Sequence, residues 1–311
     1  MMLLVIPLLY ALWSLAFPIA KELVGYADPI FTVAVRMLLG SLILFGWLFL
    51  RRSSSIKISL KEALFTFILS LFSIYFCNIF EYWGLKYLSS AKTCFIYSTS
   101  PFFSALLSYI HFKERMTWTK WLGMLVGFVG FLPVLAIQDG AEDLLKINTF
   151  FSWPSLAVIA ASFCGVYGWV LLRLMVKEKQ MCPVKINSYS MLFGGALALI
   201  TSFFIEKSFL LQLKPADALP YFGWMGLIIF VSNIVCFNLY GYLLRKFSAT
   251  LLSFFGLLSP LFASFSAYFF FNEPFNPIIL VSTALVSLGL YIIYRVELQQ
   301  GYVLTQKAQE S

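Results

Sequence analysis

Tyr75, Asn78 and Glu81 recur every three positions and Tyr82 lies four beyond Asn78, so a helix lines them up as one polar and aromatic stripe. The segment that carries them is otherwise apolar. An amide and a carboxylate are costly in hydrocarbon, and such groups face an interior cavity, where they can hold a polar solute. Glu81, nearer the segment's end, can also serve as an interfacial residue or as a proton site. Asn233 and Asn238 are similar candidates in a later apolar segment, although five residues apart they do not share one face of a regular α-helix. Aromatic residues repeat at helical spacing too, with Tyr10, Trp13 and Phe17 on one face and Phe163 and Tyr167 on another. Such rings pack against lipid or core, or they stack a planar group and hold a cation at about 0.5–2 kcal/mol per contact.

A third pattern joins Tyr97, Pro101, Ser104 and Ser108. Pro101 removes a backbone donor and frees a carbonyl in an apolar segment, which survives only where it is buried in protein or faces water. The face is either a close-packed seam or a bend beside a cavity. The candidate binding residues are therefore Trp13, Phe17, Tyr75, Asn78, Glu81, Tyr97, Tyr167, Asn233 and Asn238, with Pro101 and Pro260 as candidate conformational residues. Catalysis has less to draw on. A membrane-embedded enzyme, such as a lipid-group transferase, needs convergent acids and bases or a metal. Here the apolar segments hold one histidine, His111, and no carboxylate pair, and the five cysteines lie far apart without a CxxC. No metal or cofactor is expected.

These side chains must be positioned by helices in lipid. Of 311 residues 61% are hydrophobic and 12% charged, and no soluble interior of this length hides that surplus. Ten segments are long and apolar enough to span: roughly 3–20, 29–50, 63–83, 91–111, 118–137, 154–175, 186–206, 219–242, 248–271 and 277–295. With the N-terminus cytoplasmic, 15 lysines and arginines fall on the inside and six on the outside, next to the acidic outer loop 139–143. The net charge of +8 is then a topology signal, and nucleic acid is not an expected partner. Both termini are expected inside.

The segments also repeat. Residues 85–130 align without a gap on 244–289 at an offset of 159, with ten of 46 positions identical, including Pro101 on Pro260 and Glu114 on Glu273. Five spans per half invert the second half, an arrangement common among transporters. The expected architecture is all-α: a polytopic membrane protein with ten transmembrane helices as two inverted five-helix repeats, 1–137 and 154–295. An outside loop, 138–153, connects them, and 296–311 is a cytoplasmic tail. Arg36 reads as an anchor that snorkels outward or pairs with Asp28 or Glu22, and Glu114 and Glu273 as interfacial orienting residues. Ser282 and Val286, opposite Gly123 and Gly127, argue against equally close packing on the tenth helix.

The wording "LWSLAFPIAKEL" (12–23) and "DPIFTVAVRMLLGSLIL" (28–44) resembles the first two helices of the EamA-like branch of the drug/metabolite transporter superfamily. Trp13, Phe17, Pro18, Lys21 and Arg36 carry that match. Residues 84–130 look like its third-to-fifth-helix signature, with a helix-four proline, a glutamate after it and glycines in helix five. The resemblance implies a carrier for a small polar metabolite working by alternating access in the cell inner membrane. Within the family, the aromatic-rich sequence is similar to S-adenosylmethionine/S-adenosylhomocysteine carriers of obligate intracellular bacteria, which implies exchange of those two. Amino acids, other metabolites or drugs remain alternative substrates. However, residues 3–20 lack the first-helix carboxylate with which small multidrug members couple protons. The oligomeric state, monomer or homodimer, stays open.

Overall fold

The computed structural model describes residues 2–51, 57–88, 90–138, 152–207, 215–259, 261–262 and 278–301. Every regular element among them is helical, as expected. Helices α1 (Met2–Ser14) and α2 (Ala16–Tyr26) follow one another with a single turn residue, Leu15, between them. Pro18 supplies the cause of this break, because its ring excludes a bond to the Ser14 carbonyl four residues back. Next come α3 (Pro29–Leu50), α4 (Leu60–Ser70) and α5 (Cys77–Tyr87), with 71–76 joining the last two without interruption. The chain continues through α6 (Ser90–Tyr97), α7 (Ser100–Phe112), α8 (Trp118–Gln138), α9 (Trp153–Arg173) and α10 (Pro183–Ile205). The remaining elements are α11 (Pro215–Ile228), α12 (Phe237–Leu243), α13 (Ala249–Phe255) and α14 (Ile278–Gln299).

Seven helices among the described residues are long and apolar enough to cross a membrane, spanning from Val5–Tyr26 to Leu280–Gln299. Their outward surface is hydrocarbon: Leu42, Phe49, Leu50, Phe204 and Leu219 are all exposed. The chain is a multi-pass membrane protein.

The expected break before Pro101 is present. Helix α6 stops at Tyr97 and α7 starts at Ser100. Phe102 N–H turns to the Thr99 carbonyl at 3.0 Å, and the Thr99 hydroxyl donates to the Ile96 carbonyl at 2.6 Å. Hydroxyls of this kind satisfy backbone groups released in a broken membrane helix. Pro260 and Glu273 lie outside the described residues. The chain just before Pro260 tightens into one 3-10 turn at Gly256–Leu258.

Besides the π turn that ends α9 at Leu174–Glu178, two long helices widen midway into π turns, at 71–76 and at Ile229–Cys236. Each of these two is closed by an asparagine amide. Asn78 Nδ2 donates to the carbonyls of Ser73 and Ile74 at 3.2 and 2.9 Å. Asn238 Nδ2 does the same to Asn233 and Ile234 at 3.2 and 2.8 Å. The Asn238 amide thus reaches the main-chain carbonyl of Asn233, while the two side chains turn to different partners, Asn233 to Arg36 and Asn238 to Asn187, as their spacing implied.

Small residues set the helix contacts, as they do in lipid. A side chain on Gly289 would lie 2.6 Å from the Gly123 carbonyl oxygen, and one on Gly123 would lie 3.1 Å from the Gly289 oxygen. Helices α8 and α14 therefore pack backbone to backbone at Gly289, despite Val286 on the same helix. Two large apolar cores result, one around α13, α14 and the first turns of α1, the other around α2, α3, α10 and α11, beside a small cluster of Leu107, Val166 and Val170. Trp13 and Trp169 pack against both large cores.

Candidate functional site

A cavity opens at the seam between the two cores and holds about 940 Å³ of atom-free space, its mouth included. Two tryptophans make its floor. Trp13 meets Trp169 edge-on at 5.5 Å between centroids, with Phe237 at 5.7 Å and Tyr240 at 5.6 Å. Trp169 in turn lies 4.4 Å from Tyr240. Tyr10 extends the group and ties it to α13 by donating to the Leu252 carbonyl at 2.6 Å. Such a box presents ring faces and edges at once, fit for a flat heterocycle or a cation.

Polar groups occupy the wall contributed by α3, α5 and α6. Tyr97 donates its phenol to Glu81 Oε2 at 2.6 Å, with Cys77 Sγ 3.5 Å from the same hydroxyl. Phe17 packs 5.4 Å from the Tyr97 ring. Arg36 enters from α3 only 3% exposed. Its Nε donates to Asn233 Oδ1 at 2.8 Å and its Nη2 to Ser232 Oγ at 2.7 Å. Nη1 reaches the Tyr82 hydroxyl at 2.7 Å and Asn78 Oδ1 at 3.4 Å. The expectation of an anchor that snorkels outward or pairs with Asp28 or Glu22 is therefore corrected. The apolar turns around Arg36 cannot carry it to water, and two helices that meet there supply neutral acceptors instead.

Of the residues proposed from sequence, Trp13, Phe17, Asn78, Glu81 and Tyr97 line the cavity. Asn233 stands behind the wall, holding Arg36. Asn238 pairs with Asn187 at 3.0 Å, and Tyr75 with Thr201 at 2.6 Å, both away from the cavity lining. Tyr167 turns to the opposite side of α9, 4.7 Å from Phe72 and 5.5 Å from His111. The ring that α9 gives to the site is Trp169. Pro101 is buried beside the lining residue Ser100. Arg36, Ser232, Trp169, Phe237 and Tyr240 were not among the sequence candidates. An arginine inside an apolar span was the one usable signal.

Four residues beyond Trp169, roughly 6 Å of helix rise, Arg173 closes the space behind the floor. It is paired with Glu114, which also accepts from Thr250 Oγ1 at 3.3 Å. Lys120 pairs with Glu297 at 3.1 Å, and Ser248 donates to the same carboxylate. Glu114 is 2% exposed. It is thus a buried tie between the end of α7, the end of α9 and the start of α13, held by Arg173 and Thr250. Breaking one side of such a pair leaves a buried charge, at about 3–5 kcal/mol.

A cavity with an aromatic floor, charged walls and lipid-facing outer helices is the geometry of a membrane transporter. The model of the EamA-like transporter family matches residues 1–136 and 152–295, and the chain belongs to that family. It is a transporter, not an enzyme. It is 36% identical over 297 residues to the S-adenosylmethionine/S-adenosylhomocysteine transporter of Chlamydia trachomatis serovar L2, covering 95% of this chain and 90% of that protein. The transporter of the same name from Chlamydia muridarum is 35% identical, with 95% and 92% covered. A solved crystal structure shares the fold with a TM-score of 0.73 at 16% identity, covering 95% of this chain and 97% of that one.

Proposed function

We propose that the protein exchanges S-adenosylmethionine for S-adenosylhomocysteine across a bacterial inner membrane by alternating access. The observation that carries this reading is the cavity that joins an aromatic box to charged groups, taken with relatives of that name over 95% of the chain. Trp13, Trp169 and Tyr240 offer faces for adenine, while Asn78, Glu81, Tyr97 and Arg36 offer polar contacts. The proposed frame is ten spans in two inverted five-helix repeats, with both termini cytoplasmic. Two features support it: the amide-closed π turns at Asn78 and Asn238, and the reciprocal glycine contact of α8 and α14. Proteoliposomes preloaded with S-adenosylhomocysteine should accumulate labelled S-adenosylmethionine, and empty ones should do so poorly. Movement of an amino acid or nucleoside, but of neither adenosyl compound, would sink the substrate assignment and leave the carrier.

In this frame Pro101 keeps α6 and α7 as separate rods that can change their angle. Pro101→Ala restores a backbone donor and lets the helix run through. The variant should insert normally and bind substrate, yet exchange about tenfold more slowly, as a barrier about 1.4 kcal/mol higher gives. Parental rates in vesicles of equal protein content would show that the break is merely tolerated.

A further inference from the structure

We infer that Arg36 is the docking point for a substrate carboxylate and that Glu81 receives the α-ammonium group beside it, so that the cavity reads a free amino-acid end. The inference rests on the exchange reading only for the identity of the rest of the ligand. Arg36 and Glu81 line the same cavity. Asn78, Glu81 and Tyr82 stand within about one turn of α5, and the outer two hold the Arg36 guanidinium. Glu81 lies between them along the helix, yet among the described residues no carboxylate comes within 4 Å of Arg36. The cavity therefore carries a cation and an anion that face the same space without joining. A zwitterion with adjacent carboxylate and ammonium groups completes both.

The hydrogen-bond inventory agrees. A guanidinium has five N–H donors. Three are taken at 2.7–2.8 Å, a fourth reaches Asn78 at 3.4 Å, and the fifth has no partner among the described residues. All these acceptors are neutral. A buried guanidinium surrounded by neutral oxygens keeps its full charge for a ligand carboxylate, which can accept from the remaining Nη2 donor and displace the long bond to Asn78. Asn233, Ser232 and Tyr82 then act as positioning residues, fixing the guanidinium at the cavity wall. Glu81 has one oxygen taken by Tyr97, and its other oxygen is the acceptor for the ammonium.

The first test uses the unaltered protein in proteoliposomes and competition against labelled S-adenosylmethionine. S-Adenosylhomocysteine is compared with its decarboxylated analogue, which keeps adenine, ribose, sulfur and amine, and with 5′-methylthioadenosine, which lacks the whole tail. The decarboxylated compound should compete at least about 30-fold more weakly, the loss of one partner from a buried charged pair. Competition within about threefold of the parent would overturn the inference while leaving the exchange reading intact. In Arg36→Gln, the parent compound should fall to the level of its decarboxylated analogue, whose own affinity stays the same. Equal weakening of both would make Arg36 structural and overturn the inference. If instead no adenosyl compound competes with any solute, the labelled probe becomes L-methionine, with its decarboxylated amine as competitor. Binding of the amino acid but not the amine would uphold the carboxylate site and reject the exchange reading; binding of neither would overturn both.

Discussion

Proteoliposomes loaded with S-adenosylhomocysteine and held at 100 mV, negative inside, should reach an exchange ratio about 50-fold further toward internal S-adenosylmethionine than at zero potential. The number follows from charge. At neutral pH S-adenosylmethionine carries a carboxylate, an ammonium and a sulfonium, for a net charge of +1. S-Adenosylhomocysteine has lost the sulfonium charge and is a neutral zwitterion. One-for-one exchange then moves one positive charge inward per cycle, and a single charge crossing 100 mV is worth about 2.3 kcal/mol. At about 1.4 kcal/mol per tenfold, the equilibrium shifts by about 50-fold.

The competing scheme is one in which a proton leaves as the cation enters, cancelling the charge. Among the described residues lining the cavity, Glu81 is the carboxylate that could carry that proton. A potassium diffusion potential distinguishes the two schemes. No response to potential in the parent, with a response appearing in Glu81→Gln, would establish proton exchange through Glu81. The expected result is that both proteins respond, the variant with weaker substrate affinity.

Much of this site was legible in local spacing, because spacing reports which side chains share a face of one helix. Tyr10, Trp13 and Phe17 all reach the cavity, as do Asn78 and Glu81 from a single stripe. Pro101 announced its own break. What spacing does not report is which faces meet. Arg36 bonds Asn233 and Ser232, 197 and 196 positions away, so its place depended on helix pairing and not on its neighbours in sequence. The same holds for Glu114, whose partner Arg173 lies 59 positions on. Asn233 and Asn238 hold different partners, Arg36 and Asn187, as their spacing implied, but the π turn that contains Asn233 was not legible. Face geometry assumes 3.6 residues per turn, and the wider turn at Ile229–Cys236 has no marker in its apolar sequence. Tyr167 and Trp169 differ by two residues, hence by roughly 200° around the helix at that same period; choosing the wrong ring selected the wrong side of α9.

Gly168, next to Trp169, should not tolerate even a methyl group. A methyl group there would sit 2.4 Å from Ser73 Cβ, 2.7 Å from its Cα and 2.9 Å from its backbone nitrogen. A clash with the tip of a side chain can relax by rotation, as at Gly84, where Val158 Cγ2 is the nearest atom. A clash with backbone requires the helices to separate. Overpacking of this kind costs about 1–3 kcal/mol, and here it lands on the π turn whose Ser73 carbonyl holds Asn78. Displacing Asn78 loosens the support of Arg36 in turn. Gly168→Ala should therefore lower the thermal midpoint of the detergent-solubilised protein and weaken substrate binding together. Gly226→Ala is the control, since nothing lies within 4 Å of its added methyl group, and it should unfold and bind like the parent. Matching midpoints and affinities for the two variants would mean that α9 and the π turn are not held in the tight contact that shapes the cavity wall.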